Sequence, residues 1–261
     1  MKKLNSNHLK IIAIIAMTID HLADLLYPNM QNNIVPIILH VIGRVTAPIM
    51  FFFICEGYHY TKNLKKYITR LFIFAIISHF AYCFAFGINY IPFTTGSVFN
   101  QTSIMWSLAW AVVALYIANG NNKLKEYQKW ILVILINIIA FPADFSSIAV
   151  MSILTMYSNR GNLNKQMRSM MMWLSLYALI SFIFVNKTYG VISLFAILVY
   201  KIYGIISLFA VLVYPLLKEY NGERGKIKWL KWFFYLYYPL HLVLIGILRI
   251  ILYGNIPILF S

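Results

Sequence analysis

Charge is scarce in this chain. Asp, Glu, Lys and Arg together make up 11% of its 261 residues, and only 7 residues are acidic. Soluble domains carry roughly 25% charged residues, so a water-exposed globule of this length is excluded. Cysteine is nearly absent as well. Cys55 and Cys83 both sit in apolar runs, where spacing and setting point to packing rather than to metal or redox work. The first apolar run is not followed by a small-residue cleavage site, so a retained span is expected rather than a removed signal peptide. No lipidation or C-terminal address motif stands out. The connections between apolar runs are short, which leaves no room for a linker and predicts a single domain over residues 1–261.

What the chain has instead is hydrophobicity: 61% of it, 17% aromatic, with a mean hydropathy of +0.74. Apolar runs fall at about 9–27, 34–58, 70–88, 102–118, 130–142, 145–158, 169–186, 189–217 and 232–252. Crossing a bilayer core of roughly 30 Å takes about 20 apolar residues. The expected fold is therefore all-α, a polytopic transmembrane bundle of about nine spans. The runs 130–142 and 145–158 flank Pro142-Ala143-Asp144 and are short, so they are either two tilted spans or one re-entrant hairpin. Residues 187–200 (KTYGVISLFAILVY) are followed at once by 201–214 (KIYGIISLFAVLVY), identical at 11 of 14 positions. One copy suffices to cross, so the duplication is assigned no function.

The net charge of +15 is placed for a membrane rather than for nucleic acid. Eighteen of the 22 cations fall before the first run and in every second connection; the rest are Arg44, Lys187, Lys201 and Arg249. Connections 28–33 and 89–101 have no Lys or Arg. This positive-inside pattern predicts a cytoplasmic N-terminus and contact between the basic loops and anionic lipid.

Against this background a few ionisable residues stand inside apolar runs, where each costs about 2.5–3.5 kcal/mol at the bilayer centre. At 1.5 Å per helical residue, Asp20 and Arg44 lie ~15 Å from the inner surface, His241 ~14 Å and His79 ~12 Å. Arg44 is the natural counter-ion for Asp20, either as a helix staple or in a working site. His21 and Asp24 are i,i+3 and able to touch; a carboxylate there would orient the imidazole as a general base. His40, Arg44 and Pro48 share one face at i,i+4 steps. No carboxylate stands at i±3 or i±4 from His241, which favours a chemical over a structural role for it, and Pro239 frees backbone groups beside it. Glu56 reads as an interfacial acid or as a substrate contact, and Asp144 as a helix cap or a substrate contact. Arg249 reads as a snorkelling cation. No metal site is expected.

The stretches LKIIAIIAMTIDHLADLLYP (9–28), IGRVTAPIMFFFICEGYHYTKNLKKYITRLFIFAIIS (42–78), YNGERG (220–225) and FFYLYYPLHLVLIG (233–246) resemble the TraX family of membrane proteins. The family's signature positions correspond to Asp20, His21, Gly43, Arg44, Pro48, Glu56, Gly57, Asn221, Gly222, Pro239 and His241. The middle of the chain is similar more loosely, at Asn100 and Ala143-Asp144, and the duplication is a departure.

The resemblance implies a membrane acetyltransferase of the kind that N-acetylates conjugative pilin, in the bacterial cytoplasmic membrane. It implies acetyl-CoA as donor and a pilin-like peptide or cell-surface glycan as acceptor. Lys66, Arg70, Asn221 and Arg224 are then expected at the donor's phosphates. His241 or His21 would serve as base or transient acyl carrier, with Asp20, Asp24 and Arg44 in support. Glu56, Asp144 and His79 are expected towards the acceptor. A proton-coupled transporter and a non-catalytic assembly factor are the competing classes. The first should show an internal repeat between halves; the second should tolerate loss of the central histidines.

Overall fold

The computed structural model describes residues 2–27, 34–92, 94, 100–120, 122–188, 206, 208–227 and 229–254. The described residues are helical and contain no β-strand. In chain order the helices are α1 (Ser6–Leu26), α2 (Ile34–Gly43), α3 (Thr46–Tyr60), α4 (Leu64–Phe86), α5 (Ile104–Asn119), α6 (Glu126–Ala140), α7 (Ser146–Ser158), α8 (Leu163–Thr188), α9 (Val213–Lys218) and α10 (Leu230–Tyr253), with a 3-10 turn at Leu208–Leu212. Most of the tandem repeat at 187–214 lies outside the described residues. Among the described residues, three helical stretches are long and apolar enough to cross a membrane: Ile34–Tyr60, Leu64–Phe86 and Leu230–Tyr253.

The helices begin and end where local chemistry dictates. Asn5 caps α1, its side-chain oxygen accepting from the amides of Asn7 at 3.0 Å and His8 at 3.1 Å; these donors have no partner within the helix. Asn63 does the same for α4 through the Lys66 amide. Gly87, in the left-handed conformation at φ 65°, ends α4. The apolar run 34–58 was expected to be one helix. The chain instead opens at Arg44-Val45, dividing it into α2 and α3. Pro48 explains the break, because it has no N–H for the Arg44 carbonyl and its ring clashes there in a continuous helix.

The chain packs as two compact units. The first holds residues 1–50 and 159–228. In it α1 lies against α2, with Leu9, Ala13, Ala16 and Met17 buried. The loop that follows α9 grips the start of α1. Leu4 pairs with Tyr220 as an isolated bridge, the Asn221 amide donates to the Leu4 carbonyl at 2.8 Å, and the Ser6 amide donates to the Glu223 carbonyl at 3.0 Å.

The second unit holds residues 51–158 and 229–261. Its centre is α5, whose Leu108, Ala109, Ala111, Val112, Ala114 and Leu115 are all buried. Alanines on so many sides allow α4, α6 and α7 to approach closely. On the other side of α4 packs α10, with Gly246 seated on the Phe84 ring and Phe74 stacked on Tyr235 at 5.0 Å. Arg249, expected to snorkel, donates from Nη1 to the Ala85 carbonyl at 3.1 Å, filling one of the acceptors that the last turn of α4 leaves open. Away from these contacts α10 exposes Leu236, Leu240, Leu244, Ile247 and Ile251. That is one continuous stripe at helical spacing, a surface that suits hydrocarbon and not water.

Candidate functional site

Asp20, two-thirds of the way along α1, meets the end of α2. Arg44 Nη2 lies 2.8 Å from both Asp20 oxygens. His40 Nδ1 lies 2.8 Å from Asp20 Oδ1. The helix break makes this arrangement possible. With α2 ending at Gly43, the Arg44 side chain folds back so that its Nε donates to the His40 carbonyl at 3.2 Å, sharing that acceptor with the Arg44 backbone amide at 3.1 Å. Gly43 packs directly on the Asp20 side chain, where any Cβ would collide with the carboxylate. Thr46, opening α3, donates its hydroxyl to the Ala13 carbonyl at 3.1 Å and ties the same corner to α1. The Gly-Arg-x-Thr-x-Pro run is thus a single device: close approach at Gly43, counter-charge at Arg44, helix break at Pro48.

His40 is the residue that sequence reasoning passed over. Its side chain is 1% exposed and touches both acids of α1: Asp20, and Asp24 Oδ1 at 3.6 Å from Nε2. Asp24, paired by sequence spacing with His21, therefore also faces the second helix. His21 lies within electrostatic reach of Asp20. The i,i+4 relation of His40 to Arg44 was the available signal, since it puts both on the face that meets Asp20.

The other predicted residues fall as follows. Asn221 forms a local turn rather than an open ligand: its side-chain oxygen accepts the Glu223 amide at 2.9 Å and its amide donates to Glu223 Oε2 at 3.2 Å. Gly222 follows it at φ 83°, a left-handed position natural to glycine. Arg224 is exposed and is the charged neighbour of Lys10 on α1. Replacing Asn221 with alanine should loosen the grip on α1 by about 1 kcal/mol, read as faster hydrogen exchange at the Leu4 and Ser6 amides.

In the second unit Lys66 is exposed in the first turn of α4. Arg70, one turn on, lies near Tyr235 and 6.0 Å from the Tyr67 ring centre. Glu56 is half-buried beside Gly57, which packs on the Tyr67 hydroxyl. His79 engages both ring nitrogens, Nδ1 with the Thr102 hydroxyl at 3.0 Å and Nε2 with the Tyr90 carbonyl at 2.8 Å. The Asp144 amide donates to the Thr102 carbonyl at 2.9 Å, and the Gln101 amide to the Pro142 carbonyl at 2.7 Å. The stretches around Asn100 and Ala143-Asp144, far apart in sequence, are thereby paired.

His241 is buried, and its Nδ1 donates to the Tyr237 carbonyl at 2.9 Å. That bond fixes the tautomer, so Nε2 is the basic nitrogen of the neutral ring. Tyr237 stacks on the imidazole at 5.2 Å. Pro239 and Leu240 line an apolar groove of about 400 Å³ against Phe74, Phe80 and Phe84 of α4.

The family model described as TraX protein matches residues 5–249. The chain belongs to the TraX family. That match takes in α1 to α9, α10 as far as residue 249, and every signature residue named above. Among the chain's curated relatives, the probable fimbrial assembly protein FimC, serogroup H1, of Dichelobacter nodosus is 36% identical over 110 residues, 42% of this chain and 44% of that one. An uncharacterised protein of Rickettsia prowazekii (strain Madrid E) is 39% identical over 69 residues, 26% of this chain and 23% of that one. The chain thus spans less than half the length of these two relatives. No solved structure matches it.

Proposed function

We propose that this member of the TraX family is a multi-pass enzyme of the bacterial cytoplasmic membrane that moves an acetyl group from cytoplasmic acetyl-CoA to an amine or hydroxyl of a surface-fibre peptide or cell-surface polymer. The observation that carries this reading is the Asp20–His40–Arg44 cluster with Asp24 at its edge. A staple between helices needs one acid and one base. This cluster adds a buried imidazole and a second, more exposed carboxylate, which is the equipment of proton transfer rather than of cohesion. The fimbrial-assembly name borne by the D. nodosus relative supports a fibre subunit as acceptor.

In the transfer, the acceptor's lone pair attacks the thioester carbon. A C–N or C–O bond forms, the C–S bond breaks, and the proton lost by the acceptor ends on the departing thiolate. His241, with its tautomer fixed, is suited to take that proton or to carry the acyl group. In the first unit Arg44 is suited to hold Asp20 in place. In the second, Lys66 and Arg70, beside a connection the charge pattern assigns to the cytoplasm, fit the donor's phosphates.

The same relative's name favours a second reading, a non-catalytic assembly factor. Reconstitution separates the two. Purified protein in liposomes is given labelled acetyl-CoA, with a short peptide bearing a free α-amino group and a glucosaminide as probe acceptors. Acetyl transfer is expected, at least 100-fold weaker in Asp20→Asn. Equal background release of CoA by both proteins overturns the enzymatic reading and leaves the assembly factor.

A further inference from the structure

The cluster on α1 and α2 holds one proton whose position the geometry leaves variable, and this bears on how the protein moves protons. Asp20 is fully engaged: both its oxygens face Arg44 Nη2, and Oδ1 also faces His40 Nδ1. A carboxylate held by a guanidinium has no proton to give, so the His40–Asp20 bond has its hydrogen on Nδ1. The opposite ring nitrogen, Nε2, points to Asp24 Oδ1 at 3.6 Å. That is longer than a hydrogen bond and within the reach of an ion pair.

Two states are then available to Nε2 and Asp24: imidazolium with carboxylate, or imidazole with carboxylic acid. With Asp20 anionic and Arg44 cationic, the four groups sum to zero in both. A proton can therefore pass between His40 and Asp24 without leaving net charge in apolar surroundings, which is the costly outcome there. Exposure gives the direction. The His40 side chain is 1% accessible and that of Asp24 34%, so Asp24 is the open end. Among the described residues, Asp20, His21 and Arg44 are charged or titratable groups beside this pair.

We propose that His40 and Asp24 share one proton and exchange it with an outside partner through Asp24, with Asp20 and Arg44 as the fixed counter-charges that set the imidazole tautomer. Its use rests on the acetyl-transfer reading: the pair gives its shared proton to the thiolate of the departing CoA, and a proton taken up from water at Asp24 replaces it. The shared proton itself does not rest on that reading.

The test is nuclear magnetic resonance of full-length, ¹⁵N-histidine-labelled protein in nanodiscs from pH 5 to 9, without acetyl-CoA. His40 is assigned by His40→Gln, or, if that variant does not fold, by elimination using substitutions at the other five histidines. Nδ1 is expected to stay protonated throughout, and Nε2 to show a shift between the bare and protonated limits. In Asp24→Asn, Nε2 should move to the bare limit, and acetyl transfer should fall at least 10-fold and lose one limb of its pH profile; Asp24→Glu should restore both. An Nε2 shift unmoved by Asp24→Asn, or a bare Nδ1, overturns the proposal. A shared proton in a protein that releases no CoA leaves the pair standing and removes the acetyltransferase; CoA release without the shared proton does the reverse.

Discussion

Arg44→Ala is expected to destabilise the protein by about 3 kcal/mol, seen as a fall of roughly 6 °C in the thermal unfolding midpoint in detergent. The cost arises less from the lost attraction than from the charge left behind. Asp20 would keep its carboxylate against buried surface with only His40 to answer it, and breaking one side of a buried pair costs about 3–5 kcal/mol. The two side chains keep 15% and 16% exposure, which places the effect at the lower end of that range. Removing both charges tests the explanation. In Asp20→Asn with Arg44→Gln, the asparagine oxygen can still accept from His40, and no orphan charge remains. The double variant should therefore unfold above Arg44→Ala alone. If Arg44→Ala unfolds with the wild type, the pair is solvated and the site is not the dry cluster described above.

Hydropathy located most of the helices because their surfaces face either apolar protein or exposed apolar stripes, and both demand the same residues. The ends of α4, α5 and α10 fall within a few residues of the apolar runs, apart from the basic first turns of α4, which remain helical under the Asn63 cap. The break between α2 and α3 escaped the same reading, because a hydropathy window does not register that Pro48 lacks an N–H. Depth along each run was enough to match Asp20 with Arg44. It was not enough to find His40. Local spacing drew Asp24 to His21, three residues back on the same helix, whereas packing of α1 on α2 brings His40 against both acids. The resemblance put Asn221 and Arg224 of YNGERG at the donor's phosphates and said nothing of the loop's own architecture. Its Asn-Gly dipeptide was the better guide, since it marks a turn, and that turn holds the first residues before α1. Loops 100–103 and 142–144 pair through backbone groups, which no side-chain pattern could announce.

His241→Ala and His79→Ala should separate chemistry from architecture within the second unit. Both histidines stand at similar estimated depth in apolar helices, and sequence alone ranks them by little more than the neighbouring proline. Their bonding differs. His79 engages Thr102 through one nitrogen and the Tyr90 carbonyl through the other, so it bridges α4 to two loop positions. Alanine there leaves a hydroxyl and a carbonyl unanswered, a loss of about 1–3 kcal/mol with the rate of acetyl transfer per folded molecule within a few-fold of wild type. His241 commits Nδ1 to the Tyr237 carbonyl of its own helix, a carbonyl that also has the helical amide of residue 241 to accept from. Its ring is buried as well, so removing it should lower the unfolding midpoint about as much as His79→Ala does, and the rate per folded molecule is what separates the two. His241→Ala should lower acetyl transfer by about 10²–10⁴-fold, the span that a positioned general base supplies. His241→Gln should not recover the rate, because glutamine offers no nitrogen that both loses and regains a proton near neutral pH. A His241→Ala protein with full transfer per folded molecule would reverse the assignment, making His241 the strut and moving the search for the base to the Asp20 cluster.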